Sequence, residues 1–92
     1  MAVSLKVLLI EDNEDDAALL VRELKRGGYD VAHRHVETPE AVRAALQNES
    51  WDLILSDYNL PTMTGIDALE IYKDSGLDIP FIIVSGTLGE AL

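Results

Sequence analysis

The sequence predicts an α/β domain with a parallel sheet and helices on both of its faces. Three observations carry that prediction. Four short strand-like segments, three of them strongly apolar, alternate with longer segments whose apolar residues recur at helical spacing. Cap and stop residues fall between the two kinds of segment. The strands are joined by helix-sized connections rather than tight turns, which makes them parallel with right-handed crossovers.

The first strand is Leu5 to Ile10, a short apolar run of the kind that is buried on both faces. A helix follows, with Asn13 as its N-cap and Ala17, Leu20, Val21 and Leu24 on one face. Glu14, Asp15 and Asp16 sit in its first turn, where the helix dipole favours negative charge. Lys25 and Arg26 suit its last turn, and Gly27-Gly28 stops it. Tyr29 to Val36 is a second, more polar strand, expected at a sheet edge. Thr38-Pro39 opens the next helix, which carries Val42, Ala45 and Leu46 on one face to about Asn48.

The third strand runs from Trp51 to Asp57, with Asp57 at its carboxyl end. A loop from Tyr58 to Gly65 leads into a helix bearing Ile66, Leu69 and Tyr72 and ending near Ser75-Gly76. Ile79 to Val84 is a fourth strand, Ser85 to Gly89 follows it, and Glu90-Ala91-Leu92 opens another helix. No repeat, linker or domain boundary interrupts this order, so residues 1–92 are read as one domain.

Composition removes several functional classes. Seven Lys and Arg against seventeen Asp and Glu leave a formal charge of −10, which argues against a nucleic-acid surface and favours cationic partners. At 48% hydrophobic residues the chain is not disordered. The absence of cysteine excludes disulfides, thiolate metal sites and cysteine nucleophiles. Its longest apolar stretches are too short to span a bilayer, and Met1 to Leu5 lacks the basic start of a signal peptide. A cytoplasmic location without membrane attachment is expected.

Open parallel sheets collect functional groups at the carboxyl ends of their strands. Here strand one ends in Glu11-Asp12, strand three in Asp57 and strand four in Ser85. Taken singly, each is an ordinary cap or turn residue. If these strands are neighbours, three carboxylates and a hydroxyl share one crevice. Close carboxylates must take up protons or gather a cation, and Mg²⁺ with oxygen ligands is the natural choice. That arrangement suits phosphoryl chemistry.

These residues resemble the response-regulator receiver domains of two-component signalling. The likeness runs from Leu5 to the chain end and rests on three segments in order: Val7 to Asn13, Asp57 to Pro61 with Gly65, and Pro80 to Gly86. It implies a flavodoxin-like three-layer fold with strand order 2-1-3-4. The family's fifth strand, with its terminal lysine and aromatic switch residue, and its last helix are absent from this chain, which is therefore read as a C-terminally truncated receiver. Lys6, Lys25 and Lys73 all fall within other elements and cannot serve as that lysine.

Carried over by position, the resemblance makes Asp57 the phosphoacceptor, receiving its group from a histidine kinase or phosphotransfer protein. Asp12, Asp57 and Glu11 would hold Mg²⁺, joined by the backbone carbonyl of Asn59. Ser85 would hydrogen-bond the phosphoryl group, while Gly86 and Thr87 would modulate access and lifetime. Self-phosphorylation and autodephosphorylation are the only chemistry expected. The output or kinase domain would lie in cis or trans, and strand four would leave an apolar edge through which two copies pair.

Two other readings compete. A pseudo-receiver would keep the fold without the chemistry. An aspartyl-nucleophile phosphatase would also use Asp and Mg²⁺, but such enzymes carry a second Asp two positions on, where this chain has Asn59. His33 and His35 share one face of strand two. With no third ligand in sight they are read as exposed edge-strand residues, away from the Asp57 crevice. Trp51 and Tyr72 are read as packing residues.

Overall fold

The computed structural model describes residues 3–84. Its elements are β1 (Val3–Ile10), α1 (Glu14–Arg26), β2 (Tyr29–Val36), α2 (Pro39–Asn48), β3 (Leu53–Asp57), α3 (Gly65–Ser75) and β4 (Phe81–Val84). All three strand pairings are parallel, and the sheet order is β2-β1-β3-β4. The α/β class and the order expected from the resemblance are both as observed.

That order fixes the layers. The chain moves outward from β1 to β2, then crosses back over β1 to β3 and on to β4. Right-handed crossovers in opposite directions put α1 on one face and α2 with α3 on the other. The core accordingly divides in two. Val7, Leu9 and Leu55 pack with Ala17 and Val21 of α1. Leu8, Ile10 and Ile54 pack with Val42, Ala45 and Leu46 of α2 and Ala68 of α3. β1, buried by both layers, has 0% exposure at each of Val7, Leu8, Leu9 and Ile10. β2 is an edge strand, as its polarity predicted, while Ile82 of β4 is 48% exposed on the other outermost strand.

The caps are as read. Asn13 Oδ1 accepts from the backbone N–H groups of Asp15 (2.8 Å) and Asp16 (3.1 Å), and Thr38 Oγ1 accepts from Ala41 at 3.1 Å. Glu14, Asp15 and Asp16 are first-turn charges, the first two exposed and Asp16 half-buried. Trp51 is buried with its indole N–H on the Ala45 carbonyl at 3.0 Å, and the Tyr72 ring lies against Phe81, 5.3 Å between centroids. Both are packing residues.

Three strand boundaries move. β1 starts at Val3, two residues earlier than expected, because β2 pairs with it from Tyr29 onward. β3 starts at Leu53 and β4 at Phe81, so Trp51-Asp52 and Ile79-Pro80 are lead-in segments. Each still contributes a bond: the Asp52 N–H donates to Lys6 O (2.8 Å) and the Pro80 carbonyl accepts from Ile54 (2.9 Å).

Candidate functional site at the reversal of strand order

The direction of chain progression reverses between β1 and β3, and the crevice beyond their carboxyl ends is where such sheets hold ligands. Ile10 pairs with Ser56, so the next residues, Glu11 just past β1 and Asp57 at the last position of β3, lie side by side at the carboxyl edge of the sheet. One carboxylate oxygen from each of Glu11, Asp12 and Asp57 lies within 4.8 Å of the others. The structure thus brings together the three acids expected to converge.

Their environments differ. Asp12 is exposed, Asp57 half-buried and Glu11 only 6% exposed. Glu11 Oε1 accepts from the N–H groups of Asp12 (3.0 Å) and Asn13 (3.2 Å), which tethers its carboxylate inside the turn between β1 and α1. Burial pushes the Glu11 carboxyl up from the usual 4.5 to about 7. A hydrogen bond with the Asp12 side chain and the negative charge of Asp57 add to the rise, and the Asn13 and Asp12 N–H groups pull against it. A buried carboxyl between two other acids, with one oxygen outside the two tethering bonds, fits an all-oxygen site for a hard divalent cation.

The loop after Asp57 folds back on itself. Gly65 N–H donates to Tyr58 O (2.7 Å) and Leu60 N–H to Met63 O (3.0 Å), forming an antiparallel bridge between Asn59 and Thr64. Both bonds are made by flanking residues, so Asn59's own carbonyl takes no part in them. Met63 is buried beneath the loop, and Thr62 Oγ1 donates to the Glu37 carbonyl at 3.0 Å, tying the loop to the one before α2. Thr64 and Asp67 form a capping box at the start of α3, with bonds of 3.0 and 3.2 Å. The spacing Thr-x-x-Asp carried that signal, and sequence reading passed over it. Ser85, Gly86 and Thr87 lie outside the described residues.

One expectation is corrected. His33 is exposed, but His35 is half-buried and its Nε2 bonds the backbone carbonyl of Glu11. Its ring borders a hollow of about 300 Å³ shared with Asp12 and Glu14. His35 therefore adjoins the acidic site. Its position opposite Leu9, one rung from the end of β1, follows from the register of two strands 26 residues apart and from no local pattern. Lys6, by contrast, is engaged elsewhere, 3.1 Å from Glu49 and over the Trp51 ring.

Comparison with known proteins agrees with this geometry. Residues 7–91 match the response regulator receiver domain family. The response regulator receiver protein CpdR of Brucella abortus is 30% identical over 87 residues, covering 95% of this chain and 71% of that protein. Two-component system protein A of Emericella nidulans is 35% identical over 81 residues, which cover 87% of this chain but 12% of the longer protein. The chain likewise spans about a third of the transcriptional regulators PrrA and CtrA. Among solved structures, the receiver domain of sensor histidine kinase PA1611 from Pseudomonas aeruginosa, with a magnesium ion coordinated in its active-site cleft, superposes with a TM-score of 0.70. It is 25% identical, with 88% of this chain and 66% of that one covered. The chain belongs to the response regulator receiver domains of two-component signalling.

Proposed function

We propose that this chain is an active phosphoacceptor: Asp57 takes a phosphoryl group from a histidine kinase or phosphotransfer protein, with Mg²⁺ held by Glu11, Asp12, Asp57 and the Asn59 carbonyl. The observation that carries this reading is the convergence of three carboxylate oxygens within 4.8 Å at the strand-order reversal. In the reaction a carboxylate oxygen of Asp57 attacks phosphorus in line. A P–O bond forms as the P–N bond to the donor imidazole breaks, and its electron pair returns to the donor nitrogen. Bound Mg²⁺ supplies the positive charge that offsets repulsion between the acids and the incoming phosphoryl oxygens.

The protein's own part is positional. β3 presents Asp57 half-buried at the crevice, and the tethered turn after β1 presents Glu11 and Asp12 opposite it. The folded-back loop leaves the Asn59 carbonyl outside its own hydrogen bonding. Ser85 would take the hydrogen-bonding role toward the transferred group, with Gly86 and Thr87 governing access. The dianion that replaces the Asp57 charge then biases a two-state surface read by an output or kinase domain. We place residues 1–92 in one receiver unit working in the cytoplasm. Among the described residues, no helix is long and apolar enough to cross a membrane.

Incubation with Mg²⁺ and acetyl phosphate, or with beryllofluoride, tests this by intact mass and by NMR. A one-to-one adduct that is lost in Asp57→Asn is the expected result. Turnover of many acetyl phosphate equivalents would instead support the phosphatase, and no adduct with any donor would leave a pseudo-receiver.

A further inference from the structure

Glu11 is held at every polar group on its backbone. Its N–H donates to the Val36 carbonyl at 3.0 Å, which completes the last rung of the β1–β2 ladder. Its C=O lies beyond that rung, because β2 ends at Val36 and the chain turns away toward the Thr38 cap. No strand backbone is left to satisfy it. The imidazole of His35 fills that place, with Nε2 on the Glu11 oxygen. A carbonyl only accepts, so Nε2 carries the proton and the ring is the donor.

We propose that His35 is a positioning residue for the acidic site. By holding the Glu11 carbonyl it fixes the turn whose Asp12 and Asn13 N–H groups tether the Glu11 carboxylate, and so sets the spacing of Glu11 and Asp12 against Asp57. Its burial separates it from His33, which shares the same strand face but is exposed. Partners that orient metal-ligating residues commonly change metal affinity by ten- to a hundredfold when removed. This inference rests on the reading of Glu11 and Asp12 as cation ligands.

The test compares the full chain with His35→Phe, which keeps a ring but loses the donor, and His35→Gln, whose amide restores an N–H at similar reach. Mg²⁺ affinity is measured by isothermal titration calorimetry, and amide hydrogen exchange is followed at Asp12 and Asn13. The Phe variant is expected to bind Mg²⁺ about tenfold more weakly and to lose protection at both amides, while Gln stays close to the parent. Parent-like affinity and protection in His35→Phe would overturn the proposal. Should that variant not fold, His35→Met replaces it. Should the parent itself not bind Mg²⁺, the cation reading fails separately, and exchange at Asp12 and Asn13 alone then decides whether His35 holds the turn.

Discussion

Gly65 approaches the backbone of Asp57 so closely that a Cβ there would lie 2.8 Å from the Asp57 carbonyl oxygen and 3.1 Å from Tyr58 Cα. Both neighbours are main chain and cannot rotate away. Gly65 is required for steric room rather than for an unusual φ, and the room it makes lets the loop close directly under Asp57. Gly65→Ala must push α3 and β3 apart. We expect it to cost about 1–3 kcal/mol in urea unfolding and to slow acetyl phosphate labelling of Asp57. Unchanged stability and labelling would show that the loop can shift freely.

The raised Glu11 pKa predicts a pH dependence of stability. The folded state binds this proton more tightly than the unfolded chain, so between about 4.5 and 7 folding retains a proton that unfolding releases. The contribution is complete below pH 4.5, falls as pH rises and is lost above about 7, with a span of up to about 3 kcal/mol. Unfolding of metal-free protein at pH 5 and 8 should show this loss, and Glu11→Gln should flatten it.

On the proposed reading of Glu11 as a cation ligand, the same proton competes with Mg²⁺. Mg²⁺ affinity is therefore expected to rise with pH until Glu11 is ionised near 7. Asp57→Asn removes a negative charge that holds the Glu11 pKa up, so its Glu11 should titrate lower in carboxyl-detected NMR than in the parent. A titration unchanged by that substitution would mean the two groups are electrically separate.

Thr64 caps α3 immediately after the loop, with Asp67 returning the bond. Thr64→Ala should cost about 1 kcal/mol, read by thermal unfolding. Asp57 labelling should remain, because the Tyr58–Gly65 bond still closes the loop.

Trp51 packs between α2 and the sheet, with its N–H on Ala45. Trp51→Ala is expected to cost about 3–5 kcal/mol. In a chain of this length that is a large share of the total stability, and circular dichroism should show a partly unfolded protein at room temperature.

Much of this was readable from local pattern. The apolar runs, the caps at Asn13 and Thr38, the glycine stop at Gly27-Gly28 and the acids at strand ends are short-range signals, because capping and periodicity act within one or two turns. The strand starts at Val3, Leu53 and Phe81 are not legible locally, because pairing with a distant neighbour, not composition, decides where a ladder begins. The setting of His35 is illegible for the same reason: its environment depends on which residue of β1 lies opposite it.

The sequence by itself determined that this protein alternates strands with helices and carries Glu11, Asp12 and Asp57 at strand ends. Only the tertiary structure decided that those ends are neighbours, that Glu11 is the buried member whose proton affinity rises, and that an edge-strand histidine secures its backbone. Those outcomes depend on register and burial, which arise when segments far apart in the chain share one sheet and exclude water from between them.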